Sequence, residues 1–335
     1  MRLLVVSGRD VHALVGYREC ADAMRAALVA VQDGRADQPL RTVLRPAGAA
    51  GLVALMPSFL TEAESLGDDS AAYGLKAICI TAGNPAAGLD THQGVVLLSS
   101  GRTGEPLAVL NASAVTEIRT AAVSVVATDL LARRDADVLA VIGTGVQGRA
   151  HVLALSATRE LREIRLTGRD PAATGRVAAG LSELVGAHVQ ACATVEEAVQ
   201  GAGIVVTATS SAQPVLRGEW LEPGMHINAV GACLPTTREL DSAAVGRGVL
   251  FADSRASLLA ESGDYLMAAS DGTVGPDRIR AELGEVLTGQ AQGRASDSEI
   301  TIFESLGLAI EDLAAGALAY QAATTGATAG TWVEF

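Results

Sequence analysis

Long apolar runs are missing from this sequence: no stretch approaches the about 20 consecutive apolar residues that a membrane-spanning helix needs. No membrane partner is expected. The opening MRLLVVSGRD holds only LLVV between polar residues, too short for the apolar core of a signal peptide, so a cytoplasmic location is expected. Cysteine is scarce. Cys20, Cys79, Cys192 and Cys233 are the only four in 335 residues. They stand far apart in no metal-ligand spacing and read as reduced thiols rather than a disulfide framework, and no structural metal is expected. Clusters of Lys and Arg are also lacking, and a formal charge of −13 would repel a phosphate backbone and gain nothing at an anionic membrane surface. Nucleic acid is not an expected partner. Aromatic residues are few, a compositional bias from which no function follows.

What is present is ample apolar material: 49% hydrophobic residues and a mean hydropathy of +0.30, in a chain long enough for two domains. From about Asp137 onward short apolar runs alternate with helix-length segments: DVLAVIG, VQGRAHVLALSA, EIRLTGR, PAATGRVAAGLSELV, then HVQACA, VEEAVQGA, IVVTATS, HINAVG and VLFADS. This alternation implies βαβ crossovers and a parallel sheet, an α/β doubly wound domain. The first 110 or so residues are mixed, with a helix expected at Tyr17 to Asp33 and strand-like pieces RTVL, GLKAICIT and GVVLLSS between Gly-rich turns, which reads as a separate α+β domain. SAVTEIRTAAVSVVATDLLARR, with Ala122, Val125, Val126, Asp129 and Leu130 at helical spacing, is read as a long helix joining the two. Near the end come a strand-like ITIFES and a helical GLAIEDLAAGALAYQAA, which packs back on one or other domain. Tyr265 to Arg294, which includes DGTVGP, reads as a connection. The expected boundaries are residues 1–120 with 305–335 for the α+β domain and 121–304 for the doubly wound domain.

The stretch AVIGTGVQG carries a G-x-G-x-x-G pattern in Gly143, Gly145 and Gly148, directly after a buried strand and at the start of a helix. In that context Thr144, Val146 and Gln147 belong to a turn that aims backbone N–H groups at a pyrophosphate beside the positive end of the helix, although Gly-rich turns also serve as plain strand-to-helix links. An NAD site places a carboxylate about 20 residues further on, at the tip of the second strand. Here the strand ends Leu166-Thr167-Gly168-Arg169 with no acid. Thr167 and Arg169 can donate to a 2′-phosphate, so NADP(H) is expected in preference to NAD(H); the same Arg169 is also compatible with a solvated surface residue. Asp170 reads as the N-cap of the helix beginning at Pro171.

The segments QPLRTVL (38–44), GLKAICI (74–80), THQGVVLL (91–98), TGEPLAVLNASAVTEIRTAAVS (103–124), IGTGVQG (142–148), TATSSAQPVL (207–216), GEWLEPGMHINAVGA (218–232) and TIFESLGLAIEDLAAG (301–316) run through nearly the whole chain. In this order they resemble the ornithine cyclodeaminase/mu-crystallin family. The resemblance implies a homodimer whose N-terminal domain, joined by the C-terminal helix, builds both the interface and a substrate pocket beside the nicotinamide of a Rossmann domain. It adds Thr120, Thr207, Thr209, Val230 and Gly231 to the expected cofactor-binding residues. Reactions of the family are amino-acid cyclodeamination, amino-acid dehydrogenation and reduction of cyclic or linear ketimines, and some members bind thyroid hormone.

Three cations fall in these motifs: Arg41, Lys76 and Arg119. An α-amino or α-imino acid carries a carboxylate that a planar guanidinium holds bidentately, and Arg119 resembles the family's carboxylate-binding arginine. Most Arg and Lys side chains are simply solvated. Lys76 is the least bland of the three, because it stands between Leu75 and the apolar AICI, where an unpaired ammonium is expensive. His92 has the chemistry of a proton donor and is equally compatible with a histidine supporting a turn; its neighbour Thr91 matches a substrate-side position of the family. A departure from the family lies two residues after Gly231, where cyclodeaminases and several dehydrogenases of the family carry an aspartate and this chain has Cys233, with Pro235 following. An ordinary thiol is mostly neutral at pH 7 and offers no anion to an ammonium group. The expectation is an NADPH-dependent ketimine reductase forming an α-amino acid from a small 2-imino carboxylate such as Δ1-pyrroline-2-carboxylate or Δ1-piperideine-2-carboxylate. The alternatives are an NAD-dependent cyclodeaminase or amino-acid dehydrogenase and a non-catalytic ligand-binding protein.

Overall fold

The chain divides at two points into two units, Met1–Arg119 with Leu308–Phe335, and Thr120–Gly307. The computed structural model describes residues 2–62, 71–326 and 329–334. The first unit opens with β1 (Arg2–Val6), α1 (Gly8–Leu14), α2 (Tyr17–Gln32), β2 (Ala36–Asp37), β3 (Thr42–Leu44), β4 (Leu52–Leu60), β5 (Ala72–Ile80), β6 (His92–Ser100) and β7 (Pro106–Asn111), and α3 (Ala112–Leu131) carries the chain across the division. The second unit runs through β8 (Val138–Ile142), α4 (Val146–Thr158), β9 (Glu163–Thr167), α5 (Pro171–Val185), β10 (Val189–Ala191), α6 (Val195–Val199), β11 (Ile204–Thr207) and β12 (His226–Ala229). It continues with α7 (Ser242–Arg247), β13 (Val249–Ala252), α8 (Arg255–Glu261), α9 (Gly263–Ser270), β14 (Ile279–Glu282), α10 (Leu283–Leu287) and β15 (Thr301–Glu304). Finally α11 (Ala309–Thr324) and β16 (Thr331–Glu334) return to the first unit.

In the first unit the sheet order is β16-β1-β7-β6-β5-β4-β2, with β3 also paired to β4. Strands β4 to β7 form an antiparallel meander, and β1 lies parallel to β7. Period-two alternation decides which side chains the sheet buries. Leu52, Ala54, Met56, Ser58 and Leu60 of β4, Ala72, Gly74, Lys76 and Ile78 of β5, and Val96, Leu98 and Ser100 of β6 are buried, and their neighbours are half-buried or exposed. α11 packs on the buried face: Ser58 Oγ donates to the Ala309 carbonyl at 3.1 Å, and a Cβ on Gly74 would lie 2.8 Å from Leu313 Cβ. α2 buries Cys20, Ala21, Met24, Ala27 and Leu28, the helical stripe that its sequence spacing predicts.

The second unit is a doubly wound parallel sheet in the order β10-β9-β8-β11-β12-β15-β13-β14. β8, β11 and β12 are buried at every position, as strands covered on both faces must be. From β8 the chain winds outward to β9 and β10, then returns to lay β11 on the other side, so the sheet reverses direction between β8 and β11. At such a reversal the loops leaving the carboxyl ends of the strands part and open a crevice. α3 is one continuous helix, as expected from its spacing.

One segment keeps its strand-like reading and gains its place, and another differs from its reading. ITIFES is β15, lodged inside the parallel sheet between β12 and β13 with Thr301 opposite both His226 and Val249. Tyr265 to Arg294 is more than a connection: it holds most of α9 together with β14 and α10, and β14 extends the sheet edge beside β13. IRAE is too short and too polar to announce a strand, and only pairing with β13 makes it one.

Because α11 lies so close to β5, Gly74→Ala is expected to lower stability by about 1–3 kcal/mol through overpacking against Leu313 and Ser58. Scanning calorimetry checks this, and an unchanged Tm would contradict the close approach.

Candidate active site

The alternation that buries Gly74 and Ile78 sends Lys76 to the same covered face, where it meets the first turn of α11. Lys76 Nζ lies 2.8 Å from Asp312 Oδ2 and 3.5 Å from Thr116 Oγ1 of α3. Arg119, three residues beyond Thr116 and so on the same side of that helix, reaches the same acidic pair: its Nε donates to Asp312 Oδ1 at 3.1 Å and its Nη1 to Glu311 Oε2 at 2.7 Å. All four charged side chains are at most 5% exposed. Asp312 thus bridges an ammonium and a guanidinium, while the Gln38 side chain accepts the Ile310 amide at 2.9 Å and steadies the start of the helix.

Burial lowers the Lys76 pKa to about 8; Asp312 opposes that shift, while the charges of Arg119 and Arg41 add to it. Arg41, half-buried just before β3, therefore belongs to the same electrostatic neighbourhood. Glu311 is pushed up by burial and held back by Arg119. His92 opens β6 opposite Ile80 and is exposed. Its pKa is lowered, first by desolvation of the ring and then by Lys76 and Arg119. Its carbonyl accepts the Ser113 hydroxyl, and the carbonyl of Thr91 accepts the Thr81 amide at 2.9 Å, closing the loop between β5 and β6. Arg41, Lys76, His92 and Arg119, picked out one by one from the sequence, are brought together in the first unit. Glu311 and Asp312 were missed. Their signal was an adjacent Glu-Asp pair opening an otherwise apolar helix, which is costly to bury unless cations answer it.

The second unit holds the glycine turn. Gly143 has φ +126°, its amide donates to the Thr167 carbonyl at 2.9 Å, and a Cβ on it would strike the Ala208 carbonyl oxygen at 2.3 Å. A Cβ on Gly148 would sit 1.9 Å from the Gly143 carbonyl oxygen, so the third glycine lets α4 press against β8. Gly145 differs: a Cβ there meets nothing within 4 Å, and as N-cap of α4 it supplies no side-chain bond to the helix amides. Open space before unsatisfied helix N–H groups is the shape and polarity that a phosphate fills. Val146, 52% exposed, stands at the same mouth, while Thr144 is half-buried and its carbonyl accepts Arg149 Nε at 3.1 Å. The Gln147 carbonyl is engaged by His151 Nδ1 at 2.7 Å.

At the tip of β9 Thr167 is buried and Arg169 is exposed. Asp170 caps α5 as expected, accepting the amides of Ala172 and Ala173 at 2.9 and 3.2 Å. Thr120 is buried on α3. Thr207 and Val230 end β11 and follow β12, joined by the Val230 amide to the Thr207 carbonyl at 2.9 Å. Thr209 and Gly231 give their amides to Glu239, a buried acid that the sequence reading passed over. Cys233 packs against the apolar core of the second unit.

The family model of the ornithine cyclodeaminase/mu-crystallin family matches residues 2–327. The chain is 37% identical over 294 residues to the ketimine reductase mu-crystallin of Mus musculus, covering 88% of both chains. It is 36% identical over 322 residues to a Δ(1)-pyrroline-2-carboxylate reductase of Bacillus cereus, covering 96% of this chain and 97% of that one. Among solved structures, the Thermococcus litoralis Δ(1)-pyrroline-2-carboxylate reductase in complex with NADH and L-proline superposes with a TM-score of 0.92 at 33% identity, over 98% of this chain and 99% of that one. The expected resemblance holds across the full length, and the chain belongs to the ornithine cyclodeaminase/mu-crystallin family.

Proposed function

We propose that the protein is a nicotinamide-dependent ketimine reductase that converts a small 2-imino carboxylate into an α-amino acid, with Δ1-pyrroline-2-carboxylate and Δ1-piperideine-2-carboxylate as first substrates. The observation that carries the reading is the buried set of Lys76 and Arg119 held by Asp312 and Glu311, in a chain whose relatives are named for that chemistry. In this reading Arg119 holds the substrate carboxylate, with Arg41 and Lys76 adding positive charge around it. Asp312 and Glu311 fix the plane of the guanidinium from behind. Lys76, at about 8, carries a proton at neutral pH and is the standing acid of the set, whereas the lowered pKa of His92 leaves its ring neutral and suited to relay a proton from water. Thr91 in the first unit and Cys233 in the second are each proposed as substrate-side residues, and Thr120, Thr207, Thr209, Val230 and Gly231 as the nicotinamide-side residues of the second unit.

A bound nicotinamide dinucleotide supplies the hydride. Gly143 to Gly148 hold its pyrophosphate. NADPH is the preferred form because Asp170 is committed to its helix cap and offers no carboxylate to a ribose 2′-OH, while Arg169 is exposed beside the tip of β9. Among the described residues no helix is long and apolar enough to cross a membrane.

A homodimer is part of the proposal. The face of the first unit's sheet opposite α11 carries Leu55, Ala77 and Val95 in one row across β4, β5 and β6, and Phe59 against Tyr73 beside it. Leu55, Tyr73 and Val95 are 39%, 50% and 42% exposed, an apolar face that a second copy of the chain would cover. Light scattering is expected to give twice the 34.1 kDa chain mass, and Leu55→Glu to shift it toward the single chain; a wild-type monomer would remove this part of the proposal.

NADPH consumption with the two cyclic imines is the direct test, and absence of turnover with either nucleotide would overturn the reductase reading. Arg119→Ala is expected to lose at least about 100-fold in kcat/KM, on the scale of a removed charged hydrogen bond, while still binding NADPH. Retained activity would remove Arg119 from the mechanism. The ammonium of Lys76 is lost as pH rises through about 8, so kcat/KM should fall on an alkaline limb there. Asp312 raises the Lys76 pKa, so Asp312→Asn should move that limb to lower pH; an unmoved limb would assign it to another group.

A further inference from the structure

Behind the carboxyl edge of the second unit's sheet lie three fully buried acids that the mechanism does not use: Glu239, Asp264 and Glu304. Asp264 Oδ1 accepts the amides of Glu239 and Leu240 at 2.7 and 2.9 Å, and the Glu239 carbonyl accepts those of Val215 and Leu216 at 2.7 and 2.9 Å. Ser262, the N-cap of α9, donates its hydroxyl to Glu304 at 3.0 Å. The backbone at position 239 is thus fixed from both sides before its side chain is considered. That side chain spends its two oxygens on two different loops: Oε1 accepts the Thr209 amide at 2.6 Å and Oε2 the Gly231 amide at 2.6 Å. Thr209 follows β11 and Gly231 follows β12, neighbouring parallel strands. The three groups touch closely, since a Cβ on Gly231 would lie 2.1 Å from the Thr209 carbonyl oxygen and 2.7 Å from Glu239 Cδ.

We propose that Glu239 is a positioning residue whose carboxylate clamps the loops after β11 and β12 into the surface against which the nicotinamide half of the dinucleotide binds. The inference rests on the cofactor reading above. Burial raises the Glu239 pKa and the Thr209 and Gly231 amides hold it back by favouring the charged form, and one acid serving two loops ties their positions together. The phosphate turn has holds that do not involve Glu239, namely the Gly143 amide on Thr167 and the packing of Gly148 on Gly143, and meets the loop after β11 where Gly143 lies against Ala208. Loss of the clamp should therefore weaken one half of the ligand and spare the other.

Calorimetric titration of Glu239→Gln with NADPH and with 2′,5′-ADP, which lacks the nicotinamide half, reads this split. Glutamine offers one acceptor oxygen and turns an amino group toward the other amide, so Kd for NADPH should rise about tenfold while Kd for 2′,5′-ADP stays at its wild-type value. Equal losses for both ligands would mean general damage and overturn the proposal, as would wild-type binding of both. A wild-type protein that binds neither ligand would instead sink the cofactor reading. Hydrogen exchange then decides the clamp by itself. The Thr209 and Gly231 amides should exchange slowly in the wild-type protein, and fast exchange there would overturn the clamp even if the variant does not fold.

Discussion

Burying an ammonium and a guanidinium under one helix is affordable only if that helix brings the answering carboxylates. Lys76 and Arg119 come from β5 and α3, and Glu311 and Asp312 from the first turn of α11. An unpaired charge in this place would cost several kcal/mol, and removing one member of a buried pair typically costs about 3–5 kcal/mol. The return of the chain after Gly307 is therefore an electrostatic requirement of the first unit as well as a packing one. Gly74 allows it sterically, since only a residue without Cβ lets Leu313 come down onto β5 two positions from Lys76. The acids also sit at the amino end of α11, where the helix dipole favours negative charge, so the same two residues stabilise the helix start and the cations.

A different economy governs the second unit. Its parallel strands end in loops whose amides have no ladder partners, and buried carboxylates take them up: Glu239 for Thr209 and Gly231, Asp264 for Glu239 and Leu240, Asp253 for Leu306 and Gly307. Burial raises the Asp264 pKa to about 7, and the charge of Glu239 adds to the rise. Rigid loops at the carboxyl edge are the return on that cost. At the end of β8, by contrast, glycine leaves the α4 amides facing open space. Filled loop ends and one open helix start together define where an anion can enter.

Much of this was legible because the signals are local. The apolar neighbours of Lys76 in GLKAICI marked it as a cation that needs a partner, helical spacing gave α3, and strand-glycine-helix order gave the turn at Gly143 to Gly148. What was not legible depends on distant partners. β15 gains its place only by pairing with β12 and β13, β14 only by pairing with β13, and the roles of Glu311, Asp312 and Glu239 lie wholly in what they meet across tens or hundreds of residues. A lone buried cation in the sequence does, however, announce that an acid is missing from the account. Asking which acid could answer Lys76 would have led to the Glu-Asp pair of α11.

Charge balance also bears on which substrates suit the proposed site. Arg41, Lys76 and Arg119 face two buried carboxylates, and both of these are already engaged by Lys76 and Arg119. Asp90, which reaches His92 electrostatically, is exposed and screened by water. Each of these two buried carboxylates is thus already paired with a buried cation, so a ligand ammonium would have to compete for it. A carboxylate-bearing imine with a single nitrogen brings an anion to the cations and asks for no further acid. A diamino acid brings two ammonium groups, and the second has no partner among these residues. The same electrostatics that holds α11 on β5 thus favours imine reduction over cyclodeamination.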